Sequence, residues 1–390
     1  VKYISLFSGI GGLEHPTIQP VLLCERDPSA RIVLGRRYPG VPVAPDITLL
    51  AEPPAADFVV GGWPCQDVSA AGLQAGIRGA RSGLFFDMLR VARASGAHTI
   101  IGENVANLLT LNNGADWRTV LAALADAEFP YVAWRMLNAR EFGLPQQRRR
   151  LFIAASRDPG YSRALHAPVP PTVTAPSAYV HAFYWTAGKQ AICYSHGFAP
   201  TFKCGHPKGG VVTVALHFAD NVRKIRVDEY IRLQGYAGLP TDGVSESMVL
   251  RMVGNSVAPP CGHFVVRAVA ERRRPQGTRT PHAGTVESGV FEAGVISEVL
   301  HPPSPLATNL HEFIDRDAGG SLSAQASAGL LVRSVRSGRA MPRNLFEILL
   351  RLSADRTQKM APSVANSFVA LDALGTQFAA YARQISEVPA

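Results

Sequence analysis

Cysteine is sparse in this chain. There are five in 390 residues, at Cys24, Cys65, Cys193, Cys204 and Cys261. An odd, scattered set at no framework spacing excludes a disulfide scaffold and points to a reducing compartment, where a thiol stays available for chemistry. No apolar run reaches the roughly 18 residues that a membrane-spanning helix needs, and no cationic start leads into an apolar secretory segment. The expected location is therefore the cytoplasm. Internal repeats and long low-complexity tracts are also missing, which excludes solenoid and fibrous architectures. What is present is an ordinary globular balance, 47% hydrophobic and 18% charged, in a chain long enough for two or three domains. The formal net charge of +9 favours a polyanionic partner such as nucleic acid, although a soluble basic protein without one has the same composition.

Short apolar runs alternate with helical stretches up to Arg157. Tyr3–Phe7, Val21–Cys24, Phe58–Val60, Thr99–Ile101 and Leu151–Ala155 read as strands, each bounded by Gly, Pro or Asp. Ser82–Ala94 and Asp116–Ala127 have helical spacing, with Ser82 and Asp116 as N-caps. This alternation predicts a parallel sheet covered by helices. From Asp158 to Asp220 the composition turns Pro-, Thr- and aromatic-rich and predicts an irregular, loop-rich insertion. Helices are expected at Val227–Gln234, at Ser245–Met252 and within Val257–Arg274. Pro275–Gly284 reads as a linker, and Leu345–Leu352 and Ala365–Ile385 as helices beyond it.

Four sites carry chemistry. Phe7-Ser8-Gly9-Ile10-Gly11-Gly12 follows the first strand, and Glu25 closes the second. Glycines permit a tight turn and close approach of a ligand, and a carboxylate at the next strand end suits ribose hydroxyls. The full diphosphate pattern G-x-G-x-x-G is absent, which favours S-adenosylmethionine over NAD. Gly61-Gly62-Trp63-Pro64-Cys65-Gln66 puts a thiol on a strand exit stiffened by Pro64, a setting for a nucleophile rather than an inert buried cysteine. Glu103-Asn104-Val105 brings an acid to a third exit on the same sheet edge. In Gln146-Gln147-Arg148-Arg149-Arg150, strand alternation turns Arg148 and Arg150 to one side and Arg149 to the other, so two guanidinium groups can bind a phosphate or hold a carboxylate. Cys193-x-x-His196 and Cys204-x-His206 could suggest zinc, but the Cys-x-His spacing is too short for the usual tetrahedral arrangements, and no metal is expected.

In this order, from Val1 to Arg274, these motifs resemble the DNA (cytosine-5)-methyltransferase family of bacterial and phage type. Pro45-Asp46-Ile47, Arg232-Leu233-Gln234-Gly235-Tyr236 and Gly254-Asn255-Ser256-Val257-Ala258-Pro259-Pro260 add to the resemblance. It implies a Rossmann-like α/β sheet of the S-adenosylmethionine-dependent methyltransferases, with a small, loop-rich recognition domain and a helical C-terminal extension. Catalytic residues would be Cys65, Glu103, Arg148 and Arg150. Cofactor contacts would come from Phe7, Gly9, Gly11, Gly12, Glu25, Asp46, Ile47, Pro64, Asn255, Ser256 and Val257. Substrate contacts would come from Gln66, Ser69, Gln146, Gln234 and Gly235. The implied reaction is attack of Cys65 on C6 of a flipped-out cytosine, followed by methylation at C5. The implied domains are residues 1–157 and 233–274 for catalysis and 158–232 for target recognition, with 275–390 as an extension of unknown role.

Double-stranded DNA is the expected partner, bound by a monomer in a restriction–modification or phage DNA-protection setting. That setting leaves room for a cognate endonuclease that does not touch this chain. The interval from Gly12 to Cys24, interrupted by Pro16 and Pro20, is short for the family and calls for a short or distorted helix. The short stretch left for DNA reading, in which Lys189, His196, Lys203 and Lys208 could meet phosphates or bases, keeps open a tRNA cytosine-C5 methyltransferase of the same fold. A non-catalytic DNA-binding protein and an NAD-linked oxidoreductase are the remaining alternatives.

Overall fold

A computed structural model describes residues 1–64, 83–172, 180–184, 194–202, 214–274, 287–292, 295–299, 304–316, 320–337, 341–354 and 374–386. The chain divides into two compact units. Unit 1 comprises Val1–Gly143, Arg148–Val173 and Gln234–Leu306, and unit 2 comprises Leu144–Gln147, Thr174–Leu233 and Ala307–Ala390.

Unit 1 is built on one large sheet. Its strands are β1 (Tyr3–Leu6), β2 (Pro20–Cys24), β3 (Val43–Ala44), β4 (Phe58–Gly62), β5 (Thr99–Asn104), β6 (Tyr131–Asn138) and β7 (Arg149–Ser156). Two more, β12 (Ser288–Glu292) and β13 (Val295–Glu298), join at the edge, giving the order β13-β12-β6-β7-β5-β4-β1-β2-β3. The expected parallel arrangement holds from β3 to β5. It ends at β7, which pairs antiparallel with both β5 and β6. The chain runs outward from β1 through β2 to β3, then returns to place β4 on the other side of β1. Such a reversal opens a crevice at the carboxyl ends of the strands, here where β1 and β4 end.

Local chemistry sets the helices of this unit. Helix α1 (Pro28–Arg37) starts with Pro28 in its first turn, and the Asp27 carboxylate accepts from Ser29 N at 2.8 Å and Ala30 N at 3.2 Å. Helices α2 (Leu84–Ala94) and α3 (Ala115–Asp126) bury apolar faces against the sheet, with Phe85, Met88, Val120 and Leu124 in one core with Ile4, Val59 and Ile100. The N-cap expected at Asp116 is corrected. The cap position of α3 is Gly114 at φ 77°, and Asp116 lies inside the first turn, where it accepts from Asn112 Nδ2 at 2.8 Å. Ser82, the cap expected for α2, lies outside the described residues. Helix α4 (Pro159–Arg163) follows β7, and α6 (Glu246–Asn255) and α7 (Pro259–Ala270) complete the unit.

Unit 2 contains short strands within the insertion expected to be rich in loops. Its sheet has the order β11-β10-β8-β9, formed by β8 (His181–Tyr184), β9 (Ser195–His196), β10 (Val214–His217) and β11 (Val222–Lys224). Helix α5 spans Val227–Gln234 as expected. Among the described residues the C-terminal extension adds the helices α8 (Ala324–Ser337), α9 (Arg343–Ala354) and α10 (Gly375–Ser386). Phe183, Ala215 and Val222 share one core with Leu331, Leu345, Phe346 and Leu349. The sheet and the extension therefore bury each other's apolar faces. The stretch Pro275–Gly284 lies outside the described residues, as does the start of the helix expected at Ala365–Ile385. No helix among the described residues is long and apolar enough to cross a membrane.

Candidate active site

Three strand exits and the start of a fourth strand build the site. The chain leaves β1 in a tight turn, with Phe7 at φ 54°, Gly9 at φ 58° and Gly11 at φ 85°. Phe7 is a non-glycine residue in the left-handed region, a conformation tolerated where the surroundings impose it. The turn is anchored by Ser8 N, which donates to Cys24 O at 3.0 Å, and by Ser8 Oγ, which donates to Ser5 O at 3.0 Å.

The three loop glycines differ in what surrounds them. A side chain at Gly9 would meet nothing within 4 Å. One at Gly11 would strike Arg37 Nη1 and the Tyr38 hydroxyl at 2.8 Å, and one at Gly12 would lie 2.4 Å from Val257 O. Gly9 therefore borders open space, while Gly11 and Gly12 are glycines because protein packs against them.

Glu25, at the exit of β2, reaches back to this loop. Its Oε2 accepts from Gly9 N and its Oε1 from Asp27 N, both at 2.8 Å. Asp46 is half-buried, and the Thr48 N–H and hydroxyl that donate to it, at 2.9 and 2.8 Å, hold its carboxyl below the usual range. Ile47 beside it is buried.

The exits of β4 and β5 are in register, Gly61 opposite Gly102 and Gly62 opposite Glu103. Glycine is required by close approach at this point. A Cβ at Gly62 would lie 2.9 Å from Glu103 Oε2, one at Gly61 2.6 Å from Leu6 O, and one at Gly102 2.7 Å from the Trp63 ring. Glu103 is largely buried, and its Oε1 lies 3.2 Å from Arg150 Nε. Burial pushes the Glu103 carboxyl up from its ordinary range, while Arg150 and then Arg148 oppose the rise. Asn104 is buried and Pro64 half-buried.

The expected alternation at β7 is present. Arg149 faces out and pairs with Glu287 at 2.6 Å, and Arg150 turns to Glu103. Arg148 is buried, with Nη2 donating to Ser256 O at 2.5 Å and Gly254 O at 3.2 Å. Its guanidinium thus clamps the turn between α6 and α7. Gln234 joins the same clamp, donating from Nε2 to Ser256 O at 2.9 Å. Gly235 follows at φ 97°, Asn255 is exposed and Val257 half-buried. Arg148, Arg150, Phe152, Val257 and Cys261 line a small cleft. Burial pushes the Cys261 thiol far above its usual range.

Of the residues expected to meet substrate, Gln146 and Gln234 are fully buried. Their side-chain amides donate to Leu233 O at 3.0 Å and Ser256 O at 2.9 Å. Neither presents that amide at the surface. Cys65, Gln66 and Ser69 lie outside the described residues, as do Lys189, Cys193, Lys203, Cys204, His206 and Lys208. His196 is exposed at the end of β9. Among the described residues no group of His, Cys, Asp or Glu could hold a metal ion. Tyr236, which the sequence marks only as the end of the Gln-Gly motif, stands behind the glycine loop with Glu14 and Arg37, which the sequence reading missed. No local pattern marks these two, since each acquires its place through partners distant in the chain.

Residues 1–176 match the model of the C-5 cytosine-specific DNA methylase family. The Type II methyltransferase M2.BsuMI of Bacillus subtilis is 35% identical over 286 residues, covering 66% of this chain and 72% of that protein. M.NlaX of Neisseria lactamica is 28% identical over 70% of this chain and 96% of its own length. M.NgoBV of Neisseria gonorrhoeae is 33% identical over 40% of this chain, which spans only 41% of that protein. Among solved structures, the S. pombe Dnmt2 methyltransferase overlays with a TM-score of 0.49 at 18% identity, over 70% of this chain and 98% of that one. The glycine loop, the glutamate at the exit of β5 and the arginines entering β7 all fall inside the family match, and with the extended likeness to M2.BsuMI they make this chain a member of the C-5 cytosine-specific DNA methylase family.

Proposed function

We propose that this chain methylates C5 of cytosine in double-stranded DNA, with Cys65 as nucleophile and S-adenosylmethionine as methyl donor. The observation that carries the reading is the in-register meeting of Gly62 and Glu103, with Arg150 on the Glu103 carboxylate. Cys65 follows Gly62 by three residues, a span of at most about 11 Å.

The loop after β1 favours adenosylmethionine over a dinucleotide. A diphosphate is cradled by free backbone N–H groups at the start of a helix. Here Gly9 N donates to Glu25, Gly11 N to Ser8 O and Leu13 N to Glu14, and no helix follows the loop. The Glu25 carboxylate beside the loop suits a cationic ligand better than an anionic one. Glu25 uses one lone pair on each oxygen for backbone donors, which leaves capacity for ribose hydroxyls. The open face at Gly9, with Phe7, Pro64 and Val257 around the crevice and Asp46 and Ile47 for the adenine, would hold the rest. Bound there, adenosylmethionine supplies a methyl group activated by its sulfonium.

The protein's own groups do the remainder. The Cys65 thiolate adds to C6, the C4–C5–C6 system becomes an enamine, and C5 becomes nucleophilic. Glu103, its carboxyl raised by burial, gives N3 a hydrogen bond and a proton as charge builds there. Arg150 orients that carboxyl. After C5 is methylated, loss of its proton to a base allows Cys65 to leave. A stacked base cannot enter such a site, so the cytosine must be flipped out. DNA reading is assigned to unit 2, and because 307–390 shares its core, the extension belongs to that assignment.

Bisulfite sequencing of DNA from cells expressing the chain tests activity and target together, with tRNA as the competing substrate. Duplex DNA carrying 5-fluorocytosine at the target should trap a covalent complex, because fluorine cannot leave as a proton. Cys65→Ser should form none. Trapping by that variant would remove the mechanism, and methylation confined to tRNA would remove the substrate.

A further inference from the structure

We infer that Arg37 and Glu14 are positioning residues for the cofactor loop and hold it in place of a helix that this chain lacks. The inference rests on the reading of that loop as the adenosylmethionine site. In nucleotide-binding α/β sheets a helix normally starts directly after the glycine loop and fixes its backbone. Between Phe7 and Gln19 this chain forms only turns, and Pro16 and Pro20 interrupt the segment.

The missing support comes from elsewhere. Arg37, in the last turn of α1, donates from Nη1 to Ile10 O and, at 2.6 Å, to Gly11 O. Its guanidinium lies against the rings of Tyr38 and Tyr236, 5.4 and 5.1 Å from their centroids. Planar stacking of this kind restrains a long side chain that would otherwise lose much rotamer freedom on ordering. Gly11 has no side chain because Arg37 and the Tyr38 hydroxyl occupy that space.

Glu14 supplies the other half. It is 2% exposed, far more buried than an unpaired carboxylate tolerates. Ser5 Oγ donates to its Oε1 at 2.5 Å, and Leu13 N donates to its Oε2 at 3.0 Å. Ser5 belongs to β1, so Glu14 ties the far end of the loop back to the strand that leads into it. Burial pushes the Glu14 carboxyl up, and the nearby charge of Arg37 opposes the rise. The loop is thus held at its carbonyls by a cation and at an amide by an anion. Among the described residues nothing lies within 4 Å of where a Gly9 side chain would stand, which leaves that side open to a ligand.

The test uses the full chain with Arg37→Ala, Arg37→Lys and Glu14→Gln. It measures adenosylmethionine binding by calorimetry, and kcat and KM for cofactor and for DNA. Arg37→Ala should weaken cofactor binding and raise its KM about tenfold or more, the order expected for losing hydrogen bonds to a charged group. At saturating cofactor, kcat should stay within about threefold and KM for DNA should not move. Arg37→Lys should fall between, because an ammonium serves fewer acceptors in fixed geometry. Glu14→Gln should shift cofactor KM in the same direction by a smaller factor.

Simple misfolding would lower the active fraction, and with it kcat, without changing KM. Hydrogen exchange at Gly9–Leu13 without ligand is the second measurement. Exchange should speed up in Arg37→Ala while the amides of β4 keep their protection. Unchanged cofactor affinity, equal weakening of DNA binding or unaltered exchange in Arg37→Ala would each overturn the inference. A wild-type chain that binds no adenosylmethionine would instead sink the functional reading, and the exchange result would still decide the role of Arg37.

Discussion

The two units put their buried polar groups to different uses. In unit 1 several of them stand at strand ends: Glu14 and Ser8 behind β1, Glu103 at the exit of β5, Arg148 at the entry to β7. In unit 2 they lie inside the sheet and its attached segments. Arg223 and Glu229 form a fully buried pair, with bonds of 2.9 and 2.7 Å. Asp315 N donates to the same carboxylate at 2.9 Å, and Arg223 donates to Asp315 O. His181 and His217 face each other across β8 and β10, and Tyr194 hydrogen-bonds His217 at 2.5 Å. At the strand ends of unit 1 polar burial frames an edge where a ligand can bind, whereas the buried pair of unit 2 ties β11 and α5 to the segment at Asp315. Loss of a buried polar group should therefore cost activity in the first and folding in the second.

The largest expected effect is on unit 2. Arg223→Met leaves Glu229 buried without its partner and should cost about 3–5 kcal/mol. Hydrogen exchange should show β10 and β11 losing protection while adenosylmethionine binding to unit 1 persists. Loss of both would break the comparison. In unit 1, Glu103→Gln keeps the shape but removes the acid, and kcat should fall about 100-fold or more with little change in melting temperature.

Acid should separate the units next. Burial, with His181 and His196 nearby, holds His217 at about 4. The unfolded chain, with histidines near 6.5, binds more protons than the folded one between those values. Stability is full above that window and falls as pH drops through it. Unit 1 carries His166 and His263, also held at about 4, but burial raises Glu14, Glu103 and Glu141, whose protonation favours the folded state as pH falls. Between pH 6.5 and 4, exchange should accelerate in β10 before β4. The smallest effect is at Gly9→Ala. Its φ of 58° makes the substitution cost about 1 kcal/mol, and because the new methyl faces open space, calorimetry should register it in cofactor affinity more than in folding.

Much of unit 1 is legible in the sequence because its signals are local. Short apolar runs ended by glycine mark β1, β4 and β5, and the chemistry sits at those ends. Strand β6 is not legible. Tyr131–Asn138 is buried almost throughout and so shows no alternation, and Arg135 within it reads as a surface residue. In the fold Arg135 is buried and donates to Ala167 O at 2.7 Å, a partner that exists only once the chain has closed. Helix α1 hides for a related reason: Gly35 and the basic residues around it blur its apolar face, and the Asp27-Pro28 start was its best local signal.

By itself the sequence determined which residues could do chemistry: a thiol after Gly-Gly-Trp-Pro, an acid at a strand exit, arginines alternating into a strand, glycines where a backbone must turn. Only the tertiary structure decided which of those groups meet and which serve as scaffolding. It paired Glu103 with Arg150, turned Arg148 and Gln234 inward onto Ser256, set Arg37 beneath the glycine loop and gave residues 307–390 a share in the core of unit 2. The physical reason is reach. Strand period and turn chemistry act over a few neighbouring residues, whereas burial and charge pairing depend on partners that only folding brings together.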